Sequence, residues 1–142
     1  MQTFLPSRSF YKSASILDNK RLGKQRVECK QILKALNGEY AKTGAWVNHP
    51  ATRMWRGHEG ALAHYGFVMC QQWRDRGFND SLLPFFADIM CKVSRKQCTH
   101  PEWMMDDGLF ASHRSNLLRK DANYYGQFGW KEDDSLPYIW PV

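Results

Sequence analysis

Between Asn19 and Leu36 the chain repeats at the period of an α-helix: Leu22, Arg26, Cys29, Leu33 and Leu36 fall along one side, and Lys20, Lys24, Glu28 and Gln31 along the next. No segment carries the opposite signature, a sustained apolar and polar alternation rich in β-branched residues. The chain is therefore expected to be all-α, a compact helical bundle with irregular loops. Its 142 residues supply one hydrophobic core and are too few for two. No linker, low-complexity run or internal repeat divides it, so residues 1–142 are read as a single domain.

Local signals place the helices. Ser7 or Ser9 can cap a short helix through Leu17, and Asp18 or Asn19 can cap the long basic helix, which Asn37-Gly38 stops. Pro50 opens a turn of helix through Trp55, and His58 opens a longer one that ends at Arg76-Gly77. Asp80 or Ser81 caps a further helix to about Val93, with an interruption or kink expected near Pro84. The last helix is expected from about Asp107 to Tyr125, and the apolar tail from Leu136 to Val142 is expected to fold back on the body. No apolar stretch approaches the roughly 20 residues of a membrane span and no signal-peptide pattern opens the chain, so the expected location is the cytoplasm, bacterial or phage-infected. Cys29, Cys70, Cys91 and Cys98 form no Cys-x-x-Cys pair and read as reduced thiols, the first two in the core. Cys91, Cys98 and His100 match no familiar closed zinc spacing and lack a fourth ligand, so neither a metal nor a cofactor is expected.

Lys and Arg number 20 against 14 Asp and Glu, and the resulting net charge of +6 suits a polyanionic partner. The excess peaks in the helix from Asn19 to Leu36, where one carboxylate, Glu28, stands among six cationic side chains. A ridge of this kind attracts phosphate, and a carboxylate held within it can act on what the phosphate brings. The plainer reading is a solvated helix face on which Glu28 pairs with Lys24, worth only about 0.2–0.5 kcal/mol. Arg53 and Arg56 form a second candidate phosphate cluster, and Arg114, Arg119 and Lys120 a third. Trp46 and Trp55, in polar or basic surroundings, are candidate platforms for bases, against the ordinary fate of large aromatics in a core. His58, His64, His100 and His113 form no recognisable constellation.

Two blocks carry a likeness to known proteins. Lys20 with Arg21-Leu22-Gly23-Lys24-Gln25-Arg26-Val27-Glu28 and nearby Gln31, followed by Asn48-His49-Pro50 and Met54-Trp55-Arg56-Gly57, resembles the pyrimidine-dimer DNA glycosylase family, the relatives of phage endonuclease V that act on ultraviolet-damaged DNA. The likeness is greatest to the small bacterial and phage members and extends weakly to Ser112–Lys120 and Tyr124-Tyr125. It implies an endonuclease V-like helical fold, double-stranded DNA as partner, and a monomer that excises damaged or modified pyrimidines, with AP-lyase activity in the members that cleave DNA.

In those members the α-amine at the chain start attacks the anomeric carbon of the damaged nucleotide, and a glutamate on the early helix supports the displacement. Glu28 matches that glutamate. The best-known member exposes a small residue after losing its initiator methionine, whereas Gln2 is bulky and blocks that removal, so Met1 is expected to carry the amine. An α-amine has a reference pKa of about 7.7–8.0, low enough for a useful unprotonated fraction near neutral pH. Lys20, Arg21, Lys24 and Arg26 are expected on the rim of the site as phosphate contacts; Asn48 and His49 either stand on its wall against a phosphate or a displaced base, or serve only the turn and helix start at Pro50, with His49 satisfying a buried carbonyl. Three chemistries stay open: the Met1 amine, a lysine (Lys20 or Lys24) whose pKa is lowered by burial, or water activated by Glu28. A rival reading is a DNA-binding module of the same fold that has lost catalysis. The enzyme reading carries a geometric requirement, that Met1 and Glu28 face one concavity, the helix before Leu17 bringing the chain start back over the basic helix.

Overall fold

Side-chain caps set the first helix starts in the computed structural model, which describes residues 1–142. Ser9 accepts from the Lys12 N–H to open α1 (Phe10–Ile16), and Asp18 accepts from the Arg21 N–H to open α2 (Asn19–Leu36). α2 stops where Asn37 takes the C-cap and Gly38 turns to φ 81°. Then follow α3 (Pro50–Arg53), α4 (Glu59–Asp75), α5 (Leu83–Lys92), α6 (Asp107–Lys120) and α7 (Ala122–Tyr125), with three short 3-10 turns and no strand. The fold is all-α.

Two boundaries differ from expectation. Pro84 sits in the first turn of α5, where its missing N–H forfeits no helical hydrogen bond, so it begins the helix and does not interrupt it; Asp80 takes the Leu82 and Leu83 N–H groups. The last helix is broken in two. Asp121 leaves helical geometry (φ −154°, ψ 81°) and its side chain accepts from the Tyr124 N–H, so it ends α6 and caps α7.

α4 is the hub, with α1, α2 and α5 all packed on it. α5 comes close because residue 66 lacks a side chain: a Cβ there would lie 2.5 Å from the Phe86 ring. The buried apolar side chains, Ala35 apart, join in one cluster. On α2 the buried stripe is Leu22, Gln25, Cys29, Ile32, Leu33 and Ala35, rotated from the expected one so that Gln25 goes inside and Arg26 to its edge. The tail returns to α6, where the Leu136 and Ile139 N–H groups donate to the hydroxyls of Ser115 and Ser112, and Ile139 and Trp140 lie against the core. Cys29 and Cys70 are buried thiols, Cys91 and Cys98 exposed ones. No helix is long and apolar enough to cross a membrane.

Candidate active site

The first five residues belong to no helix or sheet, so their buried backbone groups need side-chain partners. The bundle supplies them. The Gln2 N–H donates to the Glu28 carboxylate (3.1 Å), the Phe4 N–H to Gln25 Oε1 (3.0 Å) and the Leu5 N–H to His113 Nδ1 (2.9 Å). In the other direction Gln25 Nε2 donates to the Gln2 carbonyl (3.0 Å), the Tyr65 hydroxyl to the Phe4 carbonyl (2.7 Å) and Arg114 to the Pro6 carbonyl (3.0 Å). Trp55 Nε1 reaches the Thr3 hydroxyl at 3.0 Å. Side chains from α2, α4 and α6 thus hold the chain start along α2 as a neighbouring strand would.

Covalent geometry then locates the amine. Three bonds, together about 4.3 Å long, separate the Met1 and Gln2 nitrogens. With the Gln2 nitrogen 3.1 Å from Glu28 Oε2, the amine lies within about 7.4 Å of that carboxylate oxygen. Both residues open on a cleft of about 290 Å³, lined also by Gln2, Phe4, Lys20, Arg21, Lys24, Gln25 and Lys120. Four cationic side chains surround one carboxylate. Glu28 forms no ion pair with Lys24; its Oε2 takes two neutral donors, the Gln2 N–H and Gln25 Nε2 (3.3 Å). A larger groove of about 470 Å³ between α2 and α5 has a different character, because its acids are engaged: Glu39 with Lys34 (3.4 Å), Asp88 with Lys92 (2.9 Å) and Glu59 with Gln97 (3.2 Å).

His49 stands beside this cleft. Its Nδ1 accepts from the Ala51 N–H (3.0 Å), capping α3 and leaving the proton of the neutral ring on Nε2. Partial burial and then the positive Met1 amine push its pKa below the ordinary histidine value, while the Glu28 carboxylate acts in the opposite sense. The imidazole is neutral near pH 7 and in electrostatic reach of both groups.

Of the expected DNA contacts, Lys20, Arg21, Lys24 and Lys120 line the cleft, Arg21 while paired with Asp18 (3.2 Å), and Arg53 and Arg56 are exposed outside it. Others have different partners. Arg26 pairs with buried Asp80 and lies 4.9 Å over the Trp73 ring, which takes it off the rim. Arg114 is engaged by Glu132 and the Pro6 carbonyl, tying the tail to the chain start. Trp55 is fully buried against Trp103 with its N–H on Thr3, so it cannot stack on a base. Asn48 and His49 are not among the cleft-lining residues. Lys20 and Lys24 are exposed, without the burial a lysine nucleophile would need. α1 packs on α4, and the segment before it, not α1, lies on α2. No group of three or more His, Cys, Asp or Glu side chains converges as a metal site requires. Gln25 and Tyr65 went unnoticed in the sequence. The available signal was a polar residue three after Leu22 and four before Cys29, inside an apolar stripe where only a partnered amide is tolerated.

Fold and cleft together define an all-helical chain in which Met1 and one carboxylate share a cationic cavity. Residues 1–83 match the sequence profile of the pyrimidine dimer DNA glycosylase family, and the chain belongs to that family. The matched span holds the chain start, Glu28, every cleft cation except Lys120, and the Asn48-His49-Pro50 block. Comparison with curated proteins and with solved structures finds no match.

Proposed function

We propose that this protein is a DNA glycosylase with associated AP-lyase activity, acting on double-stranded DNA at damaged or modified pyrimidines, pyrimidine dimers being the family's substrate. The observation that carries the reading is the pinned chain start, which sets the Met1 amine beside the Glu28 carboxylate in one cationic cleft. The unprotonated amine adds to C1′ of the target nucleotide as the glycosidic bond breaks and the base leaves. Glu28 stabilises the cationic sugar, takes the proton that the new C–N bond releases and returns it to O4′ as the C1′–O4′ bond opens, giving a protonated imine; loss of a C2′ proton then expels the 3′ phosphate. Lys20, Arg21, Lys24 and Lys120 hold the flanking phosphates so that the sugar meets the amine. The four free thiols suit a reducing cytoplasm.

Borohydride trapping on a duplex with one thymine dimer tests this. The expected result is a covalent adduct that maps to Met1 and disappears when the terminus is acetylated or extended. Glu28→Gln is expected to keep duplex binding and lose about 10²- to 10⁴-fold in excision. An adduct on Lys20 or Lys24 would reassign the nucleophile, and an abasic product without adduct would point to water. Salt-sensitive binding with neither product would leave a DNA-binding module.

A further inference from the structure

Trp46 is the one non-glycine residue whose backbone enters the left-handed region, at φ 63°. Glycine or asparagine takes that conformation readily; a residue as bulky as tryptophan is held there against its preference. The fold gains little in return. The residue is 41 % exposed, does not join the hydrophobic core, and has a single aromatic neighbour, His49, edge-on at 5.9 Å. Strained backbone of this kind collects at functional sites, where it holds a group in a working position.

The place Trp46 occupies is informative. From His49 a row of rings leads inward: Trp140 lies 5.8 Å from His49, Tyr138 lies 4.6 Å from Trp140, and His113 is stacked 4.5 Å from Tyr138. His113 in turn holds the Leu5 N–H of the segment that carries Met1. Trp46 is thus the solvent end of a row whose inner end fixes the chain start. We propose that Trp46 is the base-contacting residue of this site, its ring stacking on a nucleobase displaced from the duplex next to the nucleotide that Met1 and Glu28 attack. The inference rests on the glycosylase reading and adds to it a recognition element. The ligand is the π-face of a base, which an indole contacts without regard to sequence, and displacement is easiest where a lesion has already weakened stacking. Holding the ring outward before DNA arrives removes an ordering cost from binding.

The test uses the full chain and a duplex that carries a tetrahydrofuran abasic analogue opposite 2-aminopurine, beside the same duplex intact. Wild type is expected to prefer the lesion duplex and to quench the 2-aminopurine fluorescence. Trp46→Gly is expected to unfold at the same temperature or higher, because glycine relieves the backbone, and to bind intact duplex within about twofold of wild type. Its affinity for the lesion duplex should fall about tenfold or more, with the quench lost, and Trp46→Phe should restore most of both. A Trp46→Gly protein that is less stable, or that keeps lesion preference and quench, overturns the inference and leaves the glycosylase reading standing. A wild type with neither lesion preference nor quench overturns both.

Discussion

Gln25 uses both ends of its amide in one buried position: Nε2 donates to the Gln2 carbonyl and to Glu28, and Oε1 accepts from the Phe4 N–H and shares the single Tyr65 hydroxyl proton with the Phe4 carbonyl. An isosteric apolar residue would strand several of these partners, at about 1–3 kcal/mol for each buried group left unsatisfied. His113 plays the companion role at Leu5, and it has a pH signature. Burial pushes its pKa down to about 3, whereas an unfolded histidine titrates near 6.5. Between those values the unfolded chain binds the extra proton, so this contribution is complete above about pH 6.5 and is lost as pH falls toward 3, with a slope of at most about 1.4 kcal/mol per pH unit. Urea denaturation at a series of pH values from 7.5 to 5 (about the span above carboxylate titration) should show wild type losing stability. His113→Gln should show a slope smaller by up to one proton. The remaining slope comes from His49 and His64, whose pKa values are also lowered. An unchanged slope in the variant would mean that His113 is not the buried neutral histidine of the fold.

At the scale of elements, α5 depends on α4 for its seat. Gly66→Ala would gain about 1 kcal/mol of helix propensity, yet the new Cβ would sit 2.5 Å from the ring of Phe86, which is fully buried and has nowhere to go. The overlap outweighs the propensity. A net loss of about 1–3 kcal/mol is expected, read as a thermal midpoint lower by several degrees; a midpoint that rises would show α5 free to shift away. The turn before α5 is held equally firmly. Burial alone would raise the Asp80 pKa, but the Arg26 guanidinium, the Leu83 N–H, the Cys70 thiol and the Leu82 N–H together keep it below the usual carboxylate value. Arg26 therefore serves the joint between α2 and α5.

For the whole molecule, the net charge of +6 is useful to the proposed function only where it faces the DNA. Cleft cations and structural cations should therefore separate by salt dependence. Removing one phosphate contact lowers the slope of log K against log salt by about one, so Lys24→Ala and Lys120→Ala should each show that loss in duplex titrations between about 50 and 200 mM salt. Arg26→Gln should keep the wild-type slope and lower stability instead, since its guanidinium is committed to Asp80. An Arg26 variant with a reduced slope and normal stability would return that residue to the DNA-facing set.

The elements of this protein were legible in the chain because their causes are local. The helical period of α2, the caps at Ser9 and Asp18, Pro50 at a helix start and the Asn37-Gly38 stop all act within a few residues of themselves. The single carboxylate on the basic helix was legible for the same reason. What α2 turns inward was not, since a periodic pattern specifies a stripe to within about one position and the neighbouring helices choose the final rotation. That rotation buried Gln25 and gave Arg26 to Asp80. The hold on the chain start was also invisible, because it comes from hydrogen bonds between residues far apart in sequence: Phe4 with Tyr65, Thr3 with Trp55, Leu5 with His113. The sequence by itself determined the helices and the lone acid on a cationic ridge; only tertiary structure, by satisfying the backbone of a segment that has no helix or sheet of its own, decided that Met1 and Gln2 would lie beside that acid.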